Sequence, residues 1–282
     1  MSYIRTGLLL IALTALFVWG GGALGGIQGA EVAFVMAFVM NMASYWFSDK
    51  IVLAMYRARP VSETEYPQLY QIVRSLTQQE GMPMPKIYAI PQGSPNAFAT
   101  GRGPRHAAVC VTDGIMDLLT HDELKGVIAH ELGHIKNRDI LIMSITATIA
   151  GAIMMLANMA RWAALFGGVR CRDDRDGGNA ISLLAAMIVA PLAAMLVQLA
   201  ISRSREYAAD RQGAHVAHSA MGLASALRKL EEASRVRPMK ASPQTAHMFI
   251  VNPLRGDFLM TLFSTHPPIR ERIKRLEAMV AV

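Results

Sequence analysis

The chain has 282 residues, of which 52% are hydrophobic and only 17% charged, with a mean hydropathy of +0.29. An average soluble domain carries about 25% charged residues, so the composition excludes an ordinary soluble protein, a disordered chain and a disulfide-stapled secreted module. The net charge of +7 fits basic residues that flank membrane spans and face anionic lipid. No aromatic–basic interleaving points to nucleic acid, which is not expected as a partner.

The charges are clustered. Arg5 to Glu31 encloses 25 uncharged residues and Glu31 to Asp49 encloses 17; Asp139 to Arg161 encloses 21 and Asp176 to Arg203 encloses 26. A helix crossing a bilayer needs about 20 apolar residues. The first segment, about Thr6–Ile27, starts like a signal peptide, but its apolar run is too long for one. A second follows at once, about Val32–Phe47. Together they predict a retained hairpin with its turn near Gln28–Glu31.

Residues 49–139 read as water-soluble. Leu69, Ile72, Val73 and Leu76 predict an amphipathic helix over Tyr66–Gln79, ended by Met82-Pro83-Met84-Pro85. Lys86–Ile90 and Ala107–Val111 have the residues of short strands, and Asn96–Gly101 between them is a candidate edge strand. Thr120 and Glu123 have capping-box spacing at the start of a helix over Thr120–Asn137. Two further apolar segments, about Ile140–Ala160 and Ala180–Ala200, predict a second hairpin. The last part, from Arg203, is polar again, with helices clearest at Ala224–Ala233 and Ile269–Met279.

Orientation follows from basic residues near the span ends. Arg5, Lys50, Arg57, Arg59, Lys125, Lys136, Arg138, Arg203, Arg205 and Arg211 share one expected side, against Arg161, Arg170, Arg172 and Arg175 on the other. Both polar parts are therefore expected to be cytoplasmic. Cys110 and Cys171 would lie on opposite faces of the bilayer, unable to pair.

The chemistry sits in His130-Glu131-Leu132-Gly133-His134. Residues four apart share a helical face, so His130 and His134 can present two imidazoles to one ion. Glu131 projects about 100° from His130, beside the ion, where a carboxylate can take a proton from a water the ion acidifies. Zinc suits such a donor set. The bland alternative is a helix with two surface histidines. An immediate extension with a third histidine at position 140 fails, since Ile140 stands there and Asn137 replaces the needed glycine. Glu206, in Ser202-Arg203-Ser204-Arg205-Glu206-Tyr207-Ala208-Ala209-Asp210, suits the role of a glutamate on a later helix. Asp210 shares its face and could orient a ligand histidine through the outer ring nitrogen. Here the alternative is a solvated acidic pair among arginines. Two predicted spans separate His134 from Glu206, and an even number of crossings returns the chain to the same side.

His130–His134, Ser202–Asp210, Asn96–Gly101 and Thr265-His266-Pro267-Pro268 with Arg272 together resemble the HtpX family of membrane-bound zinc metalloproteases, heat-shock proteases related to the CAAX-prenyl proteases. The resemblance covers nearly the whole chain. It implies a gluzincin fold with one Zn2+ per chain, multi-pass insertion in the bacterial inner membrane and cytoplasmic-side cleavage of misfolded or damaged membrane proteins. It also implies that His266 stands near the substrate carbonyl and stabilises its developing oxyanion, with Arg272 ordering that region. Read from residues alone, His266 before two prolines is an ordinary turn residue. Asn96, Ala97, Phe98 and Ala99 would hold substrate as an added strand, or form an ordinary protected edge.

The expectation is thus a mainly α integral membrane protein. It has four transmembrane helices and a gluzincin-like zinc metalloprotease domain with a small β-sheet. The parts are an N-terminal hairpin (1–48), a first catalytic part (49–139), a second hairpin (140–202) and a second catalytic part (203–282).

Overall fold

The computed structural model describes residues 2–149, 203–236, 248–250 and 267–280. The predicted spans beyond Ile149, the Cys171 side of the cysteine argument and His266 lie outside these residues.

Helix α1, Ser2–Met55, is broken at Gly26, whose φ of +61° is a left-handed conformation that glycine adopts at little cost. Asn41 Nδ2 donates to Leu10 O at 3.3 Å and to Thr14 Oγ1 at 2.9 Å. In a straight helix those residues would stand about 45 Å apart, so the two legs fold back on each other, joined by polar contacts of the kind that hold apolar helices together. The reversal comes at Gly26, before the expected Gln28–Glu31. The physical reason is the left-handed turn, which glycine permits and Glu31 does not need. Among the described residues one helix, Gly26–Met55, is long and apolar enough to cross a membrane.

Past the expected boundary at residue 48, α1 runs on without interruption. Val52 and Leu53 are buried against the sheet, where Tyr56, Phe98 and Phe249 form an edge-to-face and tilted cluster with centroids 5.1–5.9 Å apart. The anchor and the polar part therefore share a core.

The sheet has four strands: β1 Arg59–Pro60, β2 Lys86–Ile90, β3 Ala97–Gly101 and β4 Ala107–Thr112, in the order β1-β2-β4-β3. The central pair β2/β4 is parallel, and β3 runs antiparallel to β4, with Ala99 opposite Val109. β3 is an edge strand, as its sequence suggested. Alternate residues serve two cores: Ala97, Ala99, Val109 and Val111 face the main one, Phe98, Ala108 and Cys110 the one at the end of α1.

Helix α2, Pro67–Gln79, buries the predicted stripe Leu69, Ile72, Val73 and Leu76. After the short α3, Asp113–Leu118, comes α4, His121–Lys136, and after a two-residue turn α5, Asp139–Ile149. The later helices are α6 Arg203–Ala217, α7 Ala220–Val236 and α8 Ile269–Ala278. α4 is central, buried along almost its whole length between the sheet, α2, α6 and α7.

What brings α6 close is glycine. A Cβ at Gly213 would lie 2.8 Å from the His130 backbone nitrogen and 3.0 Å from its Cα. Gly133 faces Ala209 at an ordinary 3.5 Å. Gly213→Ala must therefore push α6 off α4 and is expected to cost about 1–3 kcal/mol, seen as a lower thermal midpoint in detergent. Gly133→Ala, with room for its methyl, is expected to be neutral or slightly stabilising on the same measurement.

Candidate metal centre

The register of α4 is fixed from its first turn. The capping box at Thr120 and Glu123 forms, the Thr120 amide donating to Glu123 Oε2 at 2.8 Å. Ser225 Oγ (2.6 Å) and Lys229 Nζ (2.8 Å) of α7 hold the same carboxylate. Burial opposes its ionisation, but Lys229, Ser225 and Thr120 outweigh that and bring it down to about 2. Two turns on, His130 and His134 stand edge to face with ring centroids 4.8 Å apart, both buried.

Glu206 comes from the first turn of α6. Its Oε1 lies 3.4 Å from His134 Nε2 and its Oε2 3.9 Å from His130 Nε2. One ligand atom from each of the three residues lies within 4.8 Å of the other two. Neighbouring ligands of a tetrahedral zinc are about 3.3 Å apart, given metal–ligand bonds of about 2.0–2.1 Å, so a small inward closure suffices. Two imidazoles and one carboxylate are three protein donors, one fewer than a closed four-coordinate structural site uses. The residues fit the cation that the sequence implied.

Each histidine is braced from behind. Asp210 Oδ1 lies 3.0 Å from His130 Nδ1, without the alignment of a directed hydrogen bond. Asp210 is itself gripped by Arg272 of α8, Nε to Oδ2 at 2.8 Å and Nη2 to Oδ1 at 2.7 Å. Arg272 is fully buried; Nη1 donates to Ile250 O at 2.9 Å and lies 3.7 Å from Glu206 Oε2, and Nη2 lies 3.4 Å from His130 Nε2. Burial works against charge on Asp210, yet Arg272 and then His130 hold its carboxyl well below the ordinary range. Burial lowers His130 despite Asp210.

The second brace was missed in the sequence. Asp139 Oδ2 lies 3.5 Å from His134 Nδ1, and its Oδ1 lies 3.6 Å from Arg205 Nη1. Arg138 adopts φ +59°, and this left-handed residue turns the chain so that Asp139, first in α5, faces back to α4. Burial opposes protonation of His134, but Asp139, Glu206 and Glu131 outweigh it and raise it to about 9. The signal available was a carboxylate just past Asn137-Arg138, a pair suited to ending a helix.

Glu131 is buried beside the histidines, and the Ala99 backbone amide of β3 donates to its carboxylate. Burial pushes this carboxyl up to about 8, with Glu206 adding and His134, Ala99 and Arg272 opposing. The free edge of β3 is engaged elsewhere too: Ile250 N donates to Ala97 O at 3.3 Å, and Gly101 N donates to Ser144 Oγ at 3.4 Å. Asn96 is buried, its amide bonded to Thr112 Oγ1 at 2.8 Å, and Phe98 turns its ring away into the α1 core. The structure therefore brings His130, Glu131, His134, Glu206, Asp210, Arg272 and the backbone of Ala97–Ala99 together. His215 and His218 stand apart from this group, 6.4 Å from each other, with His218 Nε2 against Gln79. Cys110 is free and buried.

Buried imidazoles one turn apart, a carboxylate from a second helix and a spare carboxyl beside them define a metallopeptidase. The comparisons agree. Residues 63–280 match the model of "Peptidase family M48". Proteins described as "Protease HtpX homolog" are 60% identical in Syntrophobacter fumaroxidans (99% of both chains), 59% in Syntrophotalea carbinolica (100% of both) and 56% in Pyrococcus furiosus (97% of this chain, 94% of that one). The crystal structure of S. mikatae Ste24p shares the fold at a TM-score of 0.52 and 18% identity, over 98% of this chain and 65% of that longer one. This chain belongs to peptidase family M48 and, within it, to the HtpX type of membrane metalloprotease.

A histidine binds a cation only when neutral, and His134 keeps its proton up to about pH 9. Affinity for Zn2+ is therefore expected to rise with pH, up to tenfold per unit between pH 6 and 8.5, in competition with a chelator. Asp139→Asn removes both the brace and the charge that favours protonation. It is expected to lower the high-pH affinity about 10- to 100-fold and to move the pH dependence to lower pH, a shift that a loss of packing alone does not produce.

Proposed function

We propose that the protein is a zinc endopeptidase of the bacterial inner membrane that cleaves misfolded or damaged membrane proteins from the cytoplasmic side. Such work belongs to stress-linked quality control. The observation that carries the reading is Glu131: a purely structural metal site has no use for a buried, protonatable carboxyl at its side. The gluzincin assignment rests on His130, His134 and Glu206 as the ligands.

Zinc held there would supply a Lewis acid that polarises the scissile carbonyl and acidifies water. Glu131 takes the proton of the attacking water, then delivers one to the leaving amine. Its upward shift suits a group that must both accept and release a proton near neutral pH. Asp210 with Arg272, and Asp139 with Arg205, keep the two imidazoles turned toward the cation. Substrate adds as a strand to the free edge of β3, where main-chain bonds tolerate many sequences. The Ala97 carbonyl then exchanges Ile250 for a substrate amide. His266, a few residues before α8, is the candidate for stabilising the oxyanion.

The basic bias of the span ends supports four spans with both polar parts on the cytoplasmic side. The approach of Asp139 and Arg205 supports it as well, since the two ends of the intervening segment meet.

Glu131→Gln keeps the size and hydrogen-bonding reach of the side chain but cannot move a proton. It is expected to retain full zinc content and to lower cleavage of an unfolded protein in detergent by about 100- to 10,000-fold. Undiminished cleavage by that variant overturns the mechanism.

A further inference from the structure

The apolar stretch of Gly26–Met55 closes with Tyr45, Trp46 and Phe47, followed by Asp49 and Lys50. Aromatic rings followed by a cation mark the headgroup level of a span. Upstream, Val32, Phe34, Val35, Met36, Phe38 and Val39 are exposed, as lipid-facing side chains are. Trp46 remains 49% exposed, and the guanidinium of Arg102 lies over its ring, 4.5 Å from the centroid. Lys50 Nζ lies 5.4 Å from the centroid of Phe47.

Arg102 belongs to the turn that joins β3 to β4, and that turn is tightly built. Gly101 and Gly103 have φ of +132° and +154°, His106 N donates to Gly103 O at 2.9 Å, and Arg102 N donates to His106 O at 3.3 Å. A Cβ at Gly101 would lie 2.1 Å from His106 O. The backbone thus fixes where Arg102 stands, and the cation–π contact pins the turn to the aromatic end of the span. Arg105 and His106, on the same turn, are exposed. Among the described residues no carboxylate pairs with Lys50, Arg102 or Arg105, and Asp49, half-buried, is the one acid in this stretch of α1.

We propose that the β3–β4 turn, with Arg102 and Arg105, and Lys50 of α1 form a docking surface for the phosphodiester headgroups of anionic phospholipid. The Arg102 guanidinium stacked on the Trp46 indole still has donors at its rim, and with the exposed Arg105 and the Lys50 ammonium it suits a phosphate oxygen set. The surface sits on the strand that carries Ala97 and Ala99, so it sets the height of the substrate edge above the bilayer. The inference rests on the membrane-anchored reading.

The test uses the full chain in nanodiscs, with Trp19→Phe and Trp162→Phe leaving Trp46 as the single indole. Quenching by phosphatidylglycerol brominated in its acyl chains is compared with quenching by brominated phosphatidylcholine. The expected preference for phosphatidylglycerol is about fivefold per charge engaged, on the scale of juxtamembrane basic groups. Arg102→Gln and Arg105→Gln together with Lys50→Gln should bring it close to one, while helical content and zinc binding stay unchanged. Free phosphate at 10 mM should leave the preference intact; competition by it would assign the site to soluble phosphate and overturn the lipid proposal. Equal quenching by the two lipids overturns the proposal but leaves the anchor standing. Absence of quenching by either lipid overturns the anchor itself and the proposal with it.

Discussion

The close approach of α6 to α4 is the constraint on which the site depends. Gly213 meets the backbone of His130 where even a methyl group has no space. That contact puts Glu206, two helical turns earlier, beside the imidazoles and sets Asp210 behind His130. Side chains on α4 alone could offer a cation two nitrogens and nothing more. The third ligand and one brace are products of helix packing, not of local sequence.

Packing at this distance buries charge. Arg272, Asp210, Glu206 and Glu131 are all shielded from water, an arrangement that a hydrophobic replacement of similar shape would often match or exceed in stability. What the charges provide is placement. Arg272 ties α8 to α6 through Asp210 and to the 248–250 segment through Ile250 O. The same segment covers part of the β3 edge. The residues around the cation pocket and the edge of β3 are thus adjacent parts of one hydrogen-bonded structure, while the sheet carrying that edge rests on the end of α1.

Much of this was legible in the sequence where the determinants are local. β2 matches its expected residues, and α4 starts and stops at the residues its capping box and Asn137 indicated, because first-turn and last-turn chemistry is local. The α2 stripe followed from periodicity, and β3, a candidate edge strand between two short strands, does lie at the edge of the sheet. The turn of the N-terminal hairpin was placed a few residues late because Gln28 and Glu31 looked like a loop, whereas one left-handed glycine makes the reversal. Glu206 and Asp210 could be named from their spacing on a helix, with nothing in that spacing to show which histidine each would meet. Asp139 escaped notice because Asn137-Arg138 signals only that the helix ends, and the αL turn at Arg138 that aims the carboxylate back at His134 is not written in that pair. The contact of Ile250 with β3 joins residues over 150 positions apart and carries no sequence signature.

The spread of the site along the chain has a consequence for biosynthesis. The two imidazoles leave the ribosome 72 residues ahead of Glu206 and well over a hundred ahead of Arg272. At ~5–20 residues per second, the nascent polypeptide spends several seconds with a half-built cation pocket that lacks its carboxylate ligand. Cutting power therefore arrives near the end of translation, after the anchor has emerged. A peptidase is thereby inert while its own chain is still incomplete.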